Sequence, residues 1–274
     1  MAIHSFLKAE KGDPDWQYSP EKYIGKEFKV VGANTIELEE SHVNSLTLRH
    51  NPTEKELLAK HIKISVKQNA KLDLLVINEA DSKLQQVFLY DMHIAEGAGI
   101  NFGIFVKNGK FNKHIIQVYL EAGAEFNSYG LMSNTVGGDT EIITKIVHQH
   151  PDSASNQLML AVAGKDSQTV FQGMTVLDEG SDSSEAHIES GNLIIGERGR
   201  CRSRPDIYTN CDQVLYSSGL TTDFLNEDKI YYLKTRGLDT LSATKIVLNS
   251  FQNQTINIIQ ESDIREEVKE LFEI

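Results

Sequence analysis

Cysteine is scarce in this chain: Cys201 and Cys211 are the only two in 274 residues. A small secreted fold held by disulfides carries more. Ten residues apart, the two do not form a paired-cysteine metal signature either. Positive charge is also short, with 27 Lys and Arg against 39 Asp and Glu, for a net charge of −12. That excludes general nucleic-acid binding, which needs a basic surface to displace counterions. No apolar run nears the roughly 20 residues of a membrane helix. The opening stretch, Met1 to Trp16, lacks the long apolar segment of a signal peptide. A cytoplasmic protein with free thiols is expected, with neither nucleic acid nor membrane as partner. Walker A, Gly-x-Ser-x-Gly, His-Glu-x-x-His and dinucleotide fingerprints are all missing. The expectation is therefore no enzyme, and no ATP hydrolysis by the chain itself.

What is present is strand after short strand. Hydrophobic residues make up 40% of the chain, enough for a packed core. Residues 1–30 are polar and irregular, and Asn51-Pro52-Thr53-Glu54 has the form of a short helix start. From Ile62 to Ile195 apolar and polar residues alternate in runs such as Ile62–Val66, Leu72–Ile77, Ile100–Val106 and Thr169–Val176. Between runs a small-residue corner recurs at Asn69-Ala70, Gly97-Ala98 and Gly123-Ala124, with Gly164 and Gly199 as further turn marks. The alanines are 28 and 26 residues apart (98−70 and 124−98). That is how the coils of a β-solenoid are written. An antiparallel sandwich or barrel with Gly-rich turns fits the periodicity as well.

After Asp223 the period changes to that of helices. Asn226 offers an N-cap, Arg236-Gly237 a stop, and further helices are expected over about 240–251 and 263–272. Such amphipathic helices either cap a β body or dock a partner. The domain reading is a short N-terminal segment (1–55), a β core (56–225) and a helical C-terminal region (226–274).

Several residues are chemical candidates. Cys211 could ligate iron or accept sulfur as a thiolate. Cys201 lies among Arg198, Arg200, Arg202 and Arg204, whose charge would favour thiolate, unless the run is a solvated turn. His148 and His150, two apart, would share a strand face, with His187 or Cys211 as a third metal ligand. Asp91-Met92-His93 is a lesser candidate.

An ordered series of segments resembles the SufB/SufD scaffold family of the SUF iron–sulfur cluster assembly machinery. The segments are His150 to Gln157 (ending Ser-Asn-Gln), Val170-Phe-Gln-Gly173, Ser190 to Ile195, Arg204-Pro205 and Ile230 to Leu238. Together they span about 60–252. The resemblance implies a mainly β fold, a right-handed parallel β-helix with C-terminal α-helices. It implies pairing as a homodimer or SufB/SufD-like heterodimer through the β-helix ends, and docking of a SufC-like ATPase. The docking residues would be Ile230, Tyr231, Tyr232, Leu233, Arg236, Gly237 and Leu238. It implies no intrinsic cofactor, only a transient iron–sulfur cluster. The family's cysteine position falls near Ser190, its histidine position on Ser218, and a glutamate position on Gly219, so the ligand positions are substituted here. Two other readings remain: a metal- or sulfur-binding protein using His148, His150 and Cys211, and a purely structural β-helix dimer.

Overall fold

A computed structural model describes residues 29–38, 43–50, 57–79, 84–225 and 227–273. The expected leader, the helix start at Asn51 and the Asn226 cap lie outside the described residues. Among the described residues, fourteen strands alternate between two parallel sheets. The odd sheet holds β1 (Lys29–Leu38), β3 (Leu57–Val66), β5 (Gln85–Ile94), β7 (Phe111–Leu120), β9 (Asp139–His148), β11 (Gln168–Leu177) and β13 (Arg200–Thr209), in that order. The even sheet holds β2 (Val43–His50), β4 (Lys71–Glu79), β6 (Gly99–Lys107), β8 (Glu125–Val136), β10 (Ala154–Lys165), β12 (Glu185–Ile194) and β14 (Leu215–Phe224). Each strand pairs in parallel with the strand two further along the chain. The molecule is therefore a parallel β-solenoid, two strands to a coil. The first described coil, β1 with β2, lies ahead of residue 56.

The corner motif explains the stacking. Asn69, Gly97, Gly123, Asp152 and Ser183 all take positive φ, between 59° and 66°. Each donates its N–H to the carbonyl of the next coil's corner: Glu96, Ala122, Pro151, Asp182 and Gln213 in turn. Behind them Ala70, Ala98, Ala124, Ser153 and Ser184 form a buried column. The repeat is thus two copies longer than the alanine pattern shows, because Gly-Ala becomes Asp-Ser and Ser-Ser. Gly164 and Gly199 belong to the opposite side of the solenoid, where even strands lead into odd ones.

Alternate residues fill the space between the sheets. Ile64, Leu74, Tyr90, Phe102, Ile116 and Phe126 are among the fully buried side chains of that core. β-Branched and aromatic residues suit a half-buried pleat, so the alternation itself specifies the strands.

Among the described residues, three helices follow the last strand: α1 (Glu227–Thr235), α2 (Thr240–Ile256) and α3 (Ser262–Phe272). Gly237, at φ +95°, ends α1, and the Asp239 carboxylate caps α2 by accepting from the Ser242 N–H at 2.7 Å. α2 and α3 lie on the outer face of the even sheet. There Leu248, Ile256, Val268 and Phe272 meet Leu75, Phe105, Leu160 and Leu193. At roughly 1.5–3 kcal/mol per buried large side chain, this second core fixes both helices firmly. α3 reaches back to the first coils: Arg49 pairs with Glu267 at 2.7 Å, Ser45 donates to Glu261, and Lys107 donates to the Leu271 carbonyl. No described helix is long and apolar enough to cross a membrane.

Candidate functional site: the open last coil and the first C-terminal helix

The last coil, β13 with β14, has no coil beyond it among the described residues, and α2 and α3 cover the sheet's flank, not its end. The consequence is plain in β14, where all ten residues are exposed. Its inward-facing row holds Tyr216, Leu220 and Phe224, the last 70% exposed. Elsewhere this row fills the core. Here it faces outward from the solenoid's end, beside an unpaired strand edge. Such an edge is a template for another strand.

α1 continues directly from this end. It carries Tyr231 (70% exposed) and Tyr232 (55% exposed), while Ile230 and Leu233 are half buried. Arg236 lies over the Tyr232 ring at 5.3 Å and donates to its hydroxyl at 3.2 Å. One cleft of about 650 Å³ runs between α1 and α2, lined by Phe224, Tyr232, Ile246 and Phe251. A second, of about 770 Å³, separates α1 from the Gly196–Gly199 turn and is lined by Phe224, Ile230, Tyr231 and Thr240. Of the residues expected to dock a partner, Ile230, Tyr231, Tyr232 and Leu233 thus line two clefts that share Phe224, and Arg236, Gly237 and Leu238 line neither.

Ser190 and Ser218, expected at the family's ligand positions, are close in the fold. Ser190 pairs with Leu220 and Ser218 with Ile188, so the two serines are diagonal neighbours on the inner face of the even sheet. Ser190 is buried, and its hydroxyl has no hydrogen-bond partner among the described residues. Ser218 is exposed on the open coil, and Gly219 opposes Glu189. Serine hydroxyls are poor iron ligands beside thiolate or imidazole.

The other candidates are dispersed. β9 ends at His148, so His150 does not share its strand face. The His148 ring is buried, with Nδ1 2.7 Å from the Ser153 hydroxyl and Nε2 2.8 Å from that of Ser155. Burial lowers its pKa to about 4, which keeps it neutral at pH 7. His150 is exposed and lies 2.9 Å from Glu121. His187 is on the outer face of β12, Nδ1 2.8 Å from the Ser217 hydroxyl. Cys211 lies in the β13–β14 turn, its thiol 3.5 Å from Asp182. His148, His150, His187 and Cys211 therefore do not converge, and no metal-competent group of three or more His, Cys, Asp or Glu occurs among the described residues.

Cys201 also departs from the expectation of an arginine-activated thiol. Strand alternation turns it inward, against the core, while its arginine neighbours occupy the opposite face or the turn. Burial pushes the thiol pKa up, outweighing the hydrogen bond from Thr169 at 3.1 Å. Asp91 and His93 are on the outer face of β5, 3.7 Å apart, with His61 3.8 Å from the other Asp91 oxygen.

One feature went unmarked in the sequence. On the outer face of the even sheet, Asp73, Asn101, Asn127, Asn156 and His187 fall in a single register row. Asn101 donates to Asp73 at 2.7 Å, Asn127 to Asn101 at 3.2 Å, and Asn156 to Asn127 at 2.9 Å. The signal was a polar residue at the third position of each even strand, three after the corner residue's successor.

With this geometry in place, comparison with known proteins is informative. The model of the SUF system FeS cluster assembly, SufBD core domain, matches residues 23–251. The SufBD family protein slr0076 of Synechocystis is 25% identical over 171 residues, 61% of this chain and 37% of the relative. The chloroplastic protein ABCI7 of Arabidopsis thaliana is 25% identical over 251 residues, 91% of this chain and 48% of the relative. The SufD protein of Escherichia coli is 21% identical over 181 residues, 65% of this chain and 42% of the relative. The chain spans less than half the length of each of these relatives. A parallel solenoid with C-terminal helices, matched by the family model over most of its length, places this chain in the SufBD core family.

Proposed function

We propose that this protein is a non-catalytic scaffold of iron–sulfur cluster assembly. It pairs, with itself or a paralogue, through its open last coil, and α1 docks a SufC-like ATPase. The observation that carries the reading is the uncapped end of the solenoid. Tyr216, Leu220 and Phe224 stand exposed at an unpaired edge, and the exposed tyrosines of α1 adjoin them. Large apolar residues exposed along one face of a strand edge, here spaced by Ser218 and Thr222, mark an interaction surface. Family membership and the family-like helix supply the kinds of partner.

The chemistry of the cluster position refines the role. With Ser190 and Ser218 where the family has ligands, this chain contributes shape, not ligands, and a cluster would be held by the partner's residues. Any cluster is cargo built on the assembly, and ATP hydrolysis belongs to the docked subunit. A cytoplasmic location fits this role. Co-purification tests the proposal: the protein retains a SufC-like ATPase, and Tyr232→Ala with Arg236→Ala releases it. Retention by both variants contradicts the docking site. Anaerobic reconstitution with iron and sulfide separates this reading from a metal-handling one, since the scaffold alone stays colourless.

A further inference from the structure

The amide row on the even sheet does not lie under the helices. Asn101 and Asn156 are exposed, and Asn127 is half exposed. The row floors a groove formed by two adjoining cavities that meet at Asn127, Tyr129 and Ile258. The connector from α2 to α3 makes one wall through Ile258 to Glu261. The groove is far along the sheet from α1 and is independent of the docking proposed there.

Three properties define an occupant. First, the floor is a line of carboxamides. Asn101 and Asn127 each use one N–H and one lone pair within the row and Asn156 one N–H, leaving each a further donor and acceptor outward. A carboxamide offers the same donor and acceptor pair as a peptide group, so the row can hold an extended main chain without reading its sequence. Second, the lining has an apolar side, Tyr129, Leu158 and Ile258, for the peptide's side chains. Third, the charged residues lining the groove are Asp73 and Glu261 at one end and Glu189 at the other, with no Lys or Arg among them. Glu189 has no ion-pair or hydrogen-bond partner among the described residues.

The geometry points to this groove as the docking site for an extended segment of a partner protein with a basic residue at each end. From β4, which carries Asp73, to β12, which carries Glu189, there are four strand spacings, about 19 Å. An extended chain covers that distance in about six residues. The carboxylates select the ends and set the register, and the amides and Tyr129 hold what lies between.

The test uses the full chain on an array of hexapeptides. The first and last positions are both Lys, both Ala or both Glu, and the inner four are varied over Ala, Ser, Thr and Leu. The Lys-ended set should be retained about tenfold better than the Glu-ended set at low salt. Glu189→Lys should abolish that preference, and Asn127→Leu should weaken retention of every set. Asp212→Lys makes the same charge change on an exposed residue outside the groove and should leave the preference intact. Equal retention of all sets overturns the inference, as does a preference that survives Glu189→Lys. Loss of the preference in Asp212→Lys as well shows general attraction to an acidic surface and also overturns it.

Discussion

The Lys71 ammonium passes over Gly99 to meet the Glu125 carboxylate, 2.9 Å away and two strands along the same sheet. A Cβ at Gly99 would lie 2.8 Å from that ammonium, the movable end of a flexible side chain. Both partners are about half exposed, and such pairs contribute about 1 kcal/mol or less. Gly99→Ala should therefore cost under about 1 kcal/mol. Gly130 differs in kind, because a Cβ there would meet the Ile104 carbonyl oxygen at 2.6 Å and the Met159 sulfur at 2.9 Å. Backbone in a neighbouring strand cannot step aside, so Gly130→Ala should cost about 2–3 kcal/mol. Urea midpoints of the two variants, measured side by side, check the difference.

Acid should weaken the fold through its buried histidines. Burial holds His50 and His148 at about 4 and also lowers His114 well below the ordinary histidine value. An unfolded histidine titrates near 6.5. Between about pH 6.5 and 4 the unfolded chain binds more protons, so stability is full above 6.5 and falls as pH drops through this window. His148 alone contributes on the order of 3 kcal/mol to that loss. Thermal midpoints recorded from pH 7.5 to 4.5 should fall, and His148→Gln should show a shallower slope. An unchanged slope in the variant contradicts this account of His148.

The two thiols should differ in reactivity. Cys201 faces the core and has a raised pKa, whereas Cys211 is in a turn on the surface. Timed alkylation at pH 7.5, read by mass spectrometry, should label Cys211 first, and Cys201 at a comparable rate only after unfolding. Fast labelling of Cys201 in the native protein contradicts its inward placement.

Tyr231 and Tyr232 should matter to binding and not to folding. Both are largely exposed, and the second core of the helices is built from α2 and α3. The double alanine variant should keep its thermal midpoint, with a stability change within about 0.5 kcal/mol, while losing the ATPase subunit. Differential scanning calorimetry and a pull-down on the same preparation separate the two effects.

The solenoid was legible in the sequence wherever strand faces carry apolar residues, as in Leu72–Ile77 or Ile100–Val106. It faded at the end of the β body for a physical reason. β13 alternates arginine with small residues, and β14 has no neighbour beyond it, so nothing demands an apolar face on both. Ser217-Ser218-Gly219 therefore carries no apolar alternation of its own, although it is strand. The corner repeat was lost after Gly123 because Asp152 and Ser183 adopt the same left-handed backbone without being glycine. The shared face expected of His148 and His150 does not form, because a two-residue spacing implies one face only while the strand continues, and β9 stops at His148. The stop at Gly237 was clear because it acts locally, whereas α2 runs past the expected end near 251 to Ile256. The amide row could not be seen without the register, because its members are 26 to 31 residues apart (127−101 and 187−156).

The most direct test of the central claim is the native mass of the protein co-expressed with a SufC-like ATPase, measured by sedimentation equilibrium. The account predicts a paired scaffold with ATPase bound. It also predicts that Leu220→Asp with Phe224→Asp reduces the particle to a single scaffold chain that still carries ATPase. A lone scaffold chain without ATPase, or a pair indifferent to changes in the last coil, contradicts it.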